Sequence, residues 1–167
     1  MRGIGFRSDM LEQIKAGAKC VTRRPMKWPE WLHPVNYPHA AETINEMKCL
    51  VSPQDGRVLR FRLSPAEGEI LFIKEPRGDV PARYDRESLA EHFIRVESVR
   101  VERLTWSSIS KAEARFEGFQ DPQGFFSVWD ELYRREPDLK IDKEPFVKRI
   151  EFMYLRRIDL PEIARRR

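Results

Sequence analysis

The chain has little of what staples or metallates a small protein. Its 167 residues hold two cysteines, Cys20 and Cys49. That is too few for a disulfide framework, and they lack the C-x-x-C spacing of a zinc or redox site. The three histidines, His33, His39 and His92, have no metal-ligand spacing with either cysteine. No metal and no other cofactor is therefore expected. Long apolar runs are missing too. The longest are a few residues, such as Ile70-Leu71-Phe72-Ile73, so no segment could span a bilayer, and the N-terminus has no signal-type run. These absences exclude a disulfide scaffold, a structural zinc module and a membrane protein. They predict a soluble, cytoplasmic chain, with a monomer as the simplest expectation for its assembly.

What is present is ordinary in amount and uneven in placement. Apolar residues make up 41% and charged residues 35%, a globular rather than a disordered composition. The length suits one domain with a real hydrophobic core. The net charge is +4. Residues 1–30 carry seven basic and three acidic groups, residues 148–167 carry seven and three again, and the middle is acidic. The two basic ends would form one positive surface only if they meet in space. Arginines outnumber lysines 22 to 9, and arginine is the planar donor suited to phosphate and carboxylate. That bias suits a nucleotide or polyanion partner, but on charge alone a solvated face with a frayed Arg-rich tail is the plainer reading, since +4 is small for a nucleic-acid binder.

The pattern along the chain mixes helices and strands without a βαβ rhythm. Residues 8–17 read as a short helix, with Ser8 or Asp9 as N-cap, Met10, Leu11 and Ile14 on one face, and Gly17 where a C′ residue belongs. A strand follows through Val21 and Thr22 and stops at Pro25. Prolines 25, 29, 34 and 38 punctuate Trp28, Trp31 and Tyr37, which predicts a long loop. A short helix over 40–48 and a hairpin over 49–63 come next. Residues 70–73 read as a buried strand, 76–91 as a loop, and 93–104 as a long strand. Ser110 caps a helix through Phe116, with Glu113 at capping-box spacing. A second helix over 122–135 presents Phe125, Phe126, Trp129, Leu132 and Tyr133, and a last strand covers 145–158. The fold class is α+β.

The most specific feature is Gly17-Ala18-Lys19-Cys20-Val21-Thr22-Arg23-Arg24, a GxKxxTxR pattern where a helix enters a strand. Here the chain resembles the ASCH domain family, in its phage and prophage branch. The likeness continues at Glu67-Gly68-Glu69-Ile70-Leu71-Phe72-Ile73-Lys74-Glu75, and at Val99-Arg100-Val101-Glu102-Arg103-Leu104. It goes on in the Ser110 helix with its Ala114-Arg115-Phe116-Glu117-Gly118 ending. Two more pieces are Phe126-Ser127-Val128-Trp129-Asp130 and Val147-Lys148-Arg149-Ile150-Glu151-Phe152. Six pieces in the family's order span about 100 residues.

The resemblance implies a PUA-like small β-barrel flanked by short helices, with a cleft between them. It implies a single domain over 1–160, with a Pro- and aromatic-rich insertion at about 25–66 and a basic tail at 161–167. Family members are associated with RNA or nucleotides. One branch is an amidohydrolase that removes the acetyl group from N4-acetylcytidine, and another member is a ribonuclease. Matched motif to motif, the amidohydrolase residues fall on Lys19, Thr22 and Glu117, and the motif arginine on Arg24. The insertion, and Pro76 where phage relatives often have Trp, are departures that bear on the substrate.

The chemistry can be argued from the residues themselves. A threonine hydroxyl is a weak nucleophile and needs a base. A lysine serves when burial or a neighbouring cation lowers its pKa, and Arg23 and Arg24 are such neighbours. Glu117 could orient Lys19 or act as general acid, and Arg24 could hold a carbonyl oxygen or a phosphate. Lys74 and Glu75 could line the same cleft, or form an edge ion pair. Trp28, Trp31 and Tyr37 could stack on a base, although pinning the loop to the fold is the plainer role. Trp106 could close the cleft or cap the barrel. The expected partner is a modified nucleoside or RNA. The expected function is a nucleotide- or RNA-directed protein with amidohydrolase activity on an N4-acylated cytidine. The alternatives are a non-catalytic RNA-binding module and a metal-independent ribonuclease.

Overall fold

The strand-forming runs at 21–25, 70–73, 93–104 and 145–158 all enter one sheet. The computed structural model describes residues 1–28, 49–51, 58–60, 63–75 and 87–160. Strand β1 (Arg2–Gly5) leads to helix α1 (Ser8–Lys15) and strand β2 (Val21–Pro25). Strands β3 (Cys49–Val51) and β4 (Val58–Arg60) pair antiparallel as a separate two-stranded sheet, the hairpin expected over 49–63. Strand β5 (Ile70–Lys74) and the long strand β6 (His92–Arg103) follow. Helices α2 (Lys111–Phe116) and α3 (Pro122–Leu132) then precede the last strand, β7 (Phe146–Arg156). The expected helix at 40–48 and the tail at 161–167 lie outside the described residues.

The five strands run in the order β1-β5-β6-β7-β2. Only β1 and β5 are parallel, and the other neighbours are antiparallel. Among the described residues the sheet is open, with β1 and β2 as its edges, and this corrects the expected closed barrel. No ladder joins the two edges. A single side chain spans them instead: the Arg24 guanidinium on β2 donates to the Gly5 carbonyl at the end of β1 at 2.5 Å. The sheet therefore curls without closing.

Several apolar clusters hold it, one of them joining Phe72 and Phe93 to Ala90 and Leu160. Leu11 and Ile14 of α1 pack on Leu71, Ile73, Ile94, Val96, Ile150 and Phe152 of the central strands. Each such side chain contributes roughly 1.5–3 kcal/mol when fully buried. Another cluster joins Leu104, Ile109 and Ala114 to Phe125, Phe126 and Trp129 of α3, and to Ile141 and Val147. Leu132, expected on the same apolar stripe, lies outside it and is 56% exposed. Asp121 caps α3 by accepting from the Gly124 N–H at 2.8 Å. Ser110 caps α2 as predicted, accepting from the Glu113 N–H at 3.1 Å. The Glu113 carboxylate turns away to two arginines, Arg23 and Arg149.

The start of α1 differs from its sequence reading. Arg7 is the N-cap and provides no side-chain cap. The end agrees with it and matters more. Gly17 adopts a left-handed backbone, with φ of 72°. Its N–H bonds the Ile14 carbonyl at 3.0 Å, and the Ala18 N–H bonds the Gln13 carbonyl at 2.9 Å. That pair is a Schellman motif, and glycine adopts it without a Cβ penalty. It turns the chain sharply, so that Lys19, two residues later, points inward.

Candidate functional site

The glycine and the lysine of the GxKxxTxR pattern are thus one device. Lys19 is 4% exposed, Thr22 5%, Arg23 5% and Glu117 3%. The Lys19 Nζ donates to Glu117 Oε2 at 2.9 Å, to the Glu117 carbonyl at 2.6 Å and to the Val21 carbonyl at 2.8 Å. An ammonium has three protons, and here all three have acceptors. Glu117 is delivered by the end of α2, just before Gly118, whose φ is 86°. A Cβ at that glycine would lie 2.3 Å from Gln13 Oε1. A side chain there would therefore press on α1 as well as strain the backbone.

A larger ion network surrounds this pair. Arg23 donates to Glu117 Oε1 at 3.1 Å, to Glu113 Oε2 at 2.6 Å and to Glu102 Oε1 at 2.7 Å. Arg149 grips Glu113 through two nitrogens at 3.1 and 3.0 Å and also reaches Glu151 at 3.0 Å. Sheet register produces the cluster, because Arg23 of β2 sits opposite Arg149 of β7. The basic ends of the chain do meet, as their charge pattern allowed. They do not make a free positive surface here, because Glu102, Glu113, Glu117 and Glu151 compensate the two arginines and Lys19.

The environment moves several ionisations. Burial lowers the Lys19 pKa from its ordinary 10.5, and Arg24 and Arg23 add to that, while Glu117 opposes it. Burial alone would raise Glu113, but the Arg149 and Arg23 guanidinium groups outweigh it and bring the carboxyl down to about 2. Arg23 is likewise opposed by burial, yet its carboxylates hold its pKa above the ordinary value.

The Lys19–Glu117 pair borders a cavity of about 270 Å³. Thr22, Arg23 and Arg24 line it too, so the structure brings together five of the eight expected site residues. Aromatic rings also line it, namely Phe6, Phe119, Phe125, Trp129 and Tyr133. Arg24 lies over the Phe6 ring at 5.4 Å from its centroid. The Tyr133 phenol is held above its ordinary pKa by burial, which its hydrogen bond to Arg24 opposes. Ionisable polar groups and flat rings lining one cavity suit a small, planar, polar ligand. The volume is close to the lower bound of about 300 Å³ for such sites and fits one base or nucleoside rather than a duplex.

The other three expected residues lie elsewhere. Lys74 and Glu75 close β5 and do not line the cavity; Glu75 Oε1 is 4.0 Å from His92 Nε2. Trp28 packs edge-on against Phe146 at 5.3 Å, so it pins its segment to the sheet. Trp31 and Tyr37 lie outside the described residues. Trp106 stays 55% exposed and rests on Phe126 at 4.4 Å, away from the cavity. Among the described residues no group of three His, Cys, Asp or Glu side chains could hold a metal ion.

Sequence reading missed Phe6, Phe119, Tyr133 and Arg149. The aromatics are scattered along the chain with no spacing to mark them. Arg149 could have been found from the strand pairing, since β2 and β7 both bring an arginine to one face.

No family model and no curated protein matches the chain. A solved structure shares its fold. The crystal structure of protein EF3133 from Enterococcus faecalis V583, of the DUF984 family, superposes with a TM-score of 0.52 at 12% identity, covering 93% of this chain and 81% of that one. That likeness shows the fold alone. A hypothetical protein, PH0355, matches with a TM-score of 0.48 at 16% identity, over 90% of this chain and 95% of its own.

Proposed function

We propose that the chain is a nucleoside-directed hydrolase that cleaves the exocyclic amide of an N4-acylated cytidine, with Lys19, Thr22 and Glu117 as its reacting machinery. One observation supports this above the others. The buried Lys19–Glu117 pair borders an aromatic-walled cavity of about 270 Å³ that also takes in Thr22 and Arg24. The resemblance of the GxKxxTxR segment and of the Glu117 region to the ASCH family supports the same reading.

The proposed chemistry needs no cofactor. The Lys19 amine, once deprotonated, takes the Thr22 hydroxyl proton as Oγ bonds the acyl carbon. Arg24 faces the oxyanion that forms. The intermediate collapses, the bond from the acyl carbon to N4 breaks, and Lys19 returns the proton to the leaving amine. Cytidine departs and an acyl ester remains on Thr22. Lys19 then takes a proton from water as the water oxygen bonds the acyl carbon, and returns it to Thr22 Oγ as the ester C–O bond breaks, releasing the free acid. Glu117 orients Lys19 through the 2.9 Å bond. Turnover then rises with pH along a limb set by Lys19, and burial places that limb below the ordinary 10.5. A pH–rate profile from neutral to alkaline measures it. The direct assay is release of cytidine from N4-acetylcytidine. Thr22→Ala and Lys19→Ala should each lower turnover by 100-fold or more, on the order expected for a lost nucleophile or base. Undiminished turnover in either would overturn the proposal.

A second reading, a non-catalytic RNA- or nucleotide-binding module, is favoured by the full engagement of Lys19. Its three protons already have protein acceptors. That module would bind without turnover, and its affinity for RNA would fall steeply with salt.

A further inference from the structure

The aromatic cavity does not end at its own rim. A shallower groove adjoins it, and the two share Arg7 and Leu132 in their walls. The groove adds Arg134 and Arg135, which follow the last turn of α3, together with Glu131 and Glu136. Arg134 and Arg135 are exposed, and neither takes part in the ion pairs of the described residues. This contrasts with Arg23 and Arg149, which are themselves buried and paired with carboxylates. Arg7 contacts Asp9 at 3.2 Å through Nε, which leaves its terminal nitrogens outside that pair.

We infer that this groove is a phosphate subsite, and that the natural ligand of the cavity is a nucleoside carrying a single phosphate, a mononucleotide. The inference rests on the proposed nucleoside site and names its substrate class more closely. Three arginines can each donate to a phosphate oxygen, and guanidinium is the donor geometry that phosphate prefers. Glu131 and Glu136 in the lining, and Asp9 on Arg7, offset the three guanidinium groups in net charge. What the groove offers an anion is therefore the guanidinium donors of Arg134 and Arg135, which suit one phosphate, whereas a strand track needs a run of uncompensated cations. The shared wall at Arg7 places the anion beside the nucleoside rather than at a separate site. The exposed Leu132 lies on the same wall and gives the sugar an apolar surface.

The experiment compares the full chain's affinity for cytidine and cytidine 5′-monophosphate, and for ribose and ribose 5-phosphate, by calorimetry at low and moderate salt. In the unaltered chain the phosphate should improve affinity about tenfold, and salt should shrink the gain. In the Arg134→Ala/Arg135→Ala variant the gain should fall to about twofold or less. Arg134→Lys/Arg135→Lys should restore part of it. No gain in the unaltered chain, or a gain that the alanine variant leaves intact, overturns the subsite. Arginines at this position could also serve only to complement the helix dipole. In that case the alanine variant lowers the melting temperature and leaves the phosphate gain unchanged, which also overturns the inference. A short RNA that binds more than tenfold tighter than the mononucleotide overturns it in favour of a strand. If no nucleoside binds but ribose 5-phosphate exceeds ribose in an arginine-dependent way, the nucleoside site falls and the phosphate subsite stands.

Discussion

Strand β7 separates two kinds of interior. Its residues Ile150 and Phe152 face the aliphatic cluster with α1, while the intervening Arg149 and Glu151 face the ion network with β2 and α2. One strand, by simple alternation, feeds both. The aliphatic side stabilises through buried carbon. The charged side is a poor way to stabilise a fold, because taking ions out of water costs about as much as their pairing returns. A chain that buries Lys19 and Glu117 to within a few per cent accepts that cost at the border of its aromatic-lined cavity. The contrast argues that the aliphatic side sets stability and the charged side serves chemistry.

That division can be broken by substitution. The largest effect is expected at Glu117. Glu117→Ala leaves Lys19 and Arg23 without their shared buried counter-charge, and should cost about 3–5 kcal/mol in denaturant unfolding as well as all turnover. The paired change Lys19→Met/Glu117→Leu removes both charges at similar volume. It should fold with near-native stability and still have no activity. If the paired variant is as unstable as the single one, the network is structural first. Next in size is Ile94→Ala in the aliphatic cluster. It opens a cavity around a fully buried side chain and should cost about 2–5 kcal/mol. Nucleoside affinity, measured where the variant is still folded, should be unchanged. A selective loss of affinity there would join the two interiors that β7 keeps apart.

The smallest effect is acid lability. Unfolding returns Glu113 from about 2 to its ordinary 4.5, so the unfolded chain takes the proton first as pH falls. Its contribution is complete above that ordinary value and is lost progressively down to about pH 2. Denaturant midpoints across that range should fall for the unaltered chain, and less steeply for Glu113→Gln.

Much of the fold was legible because each element carried its own local signal. The end of α1 was readable from Gly17, whose backbone only glycine adopts freely, and the long strands β6 and β7 from their period of two. The curl of the sheet was not legible. It depends on Arg24 meeting Gly5 across two edges far apart in hydrogen-bonding order, and no local pattern encodes that. At the site, Lys19, Thr22, Arg23 and Arg24 stand together in the GxKxxTxR segment, and Glu117 was reached only through the resemblance to the ASCH family. Their roles within the network were not legible. Glu113 reads locally as half of a capping box, but two arginines from β2 and β7 outcompete a backbone N–H for its carboxylate, because charged donors bind it more strongly. Lys74, Glu75 and Trp28 were placed by sequence proximity to the motifs, and tertiary packing carried them elsewhere.

The most direct test of the central claim is peptide mass spectrometry on the chain quenched during turnover of N4-acetylcytidine. The proposed chemistry predicts an acetyl group on Thr22 in the chain quenched during turnover, absent from Thr22→Ala and from Lys19→Ala. Release of cytidine with no acetyl on Thr22, and at an undiminished rate in Thr22→Ala, would contradict it.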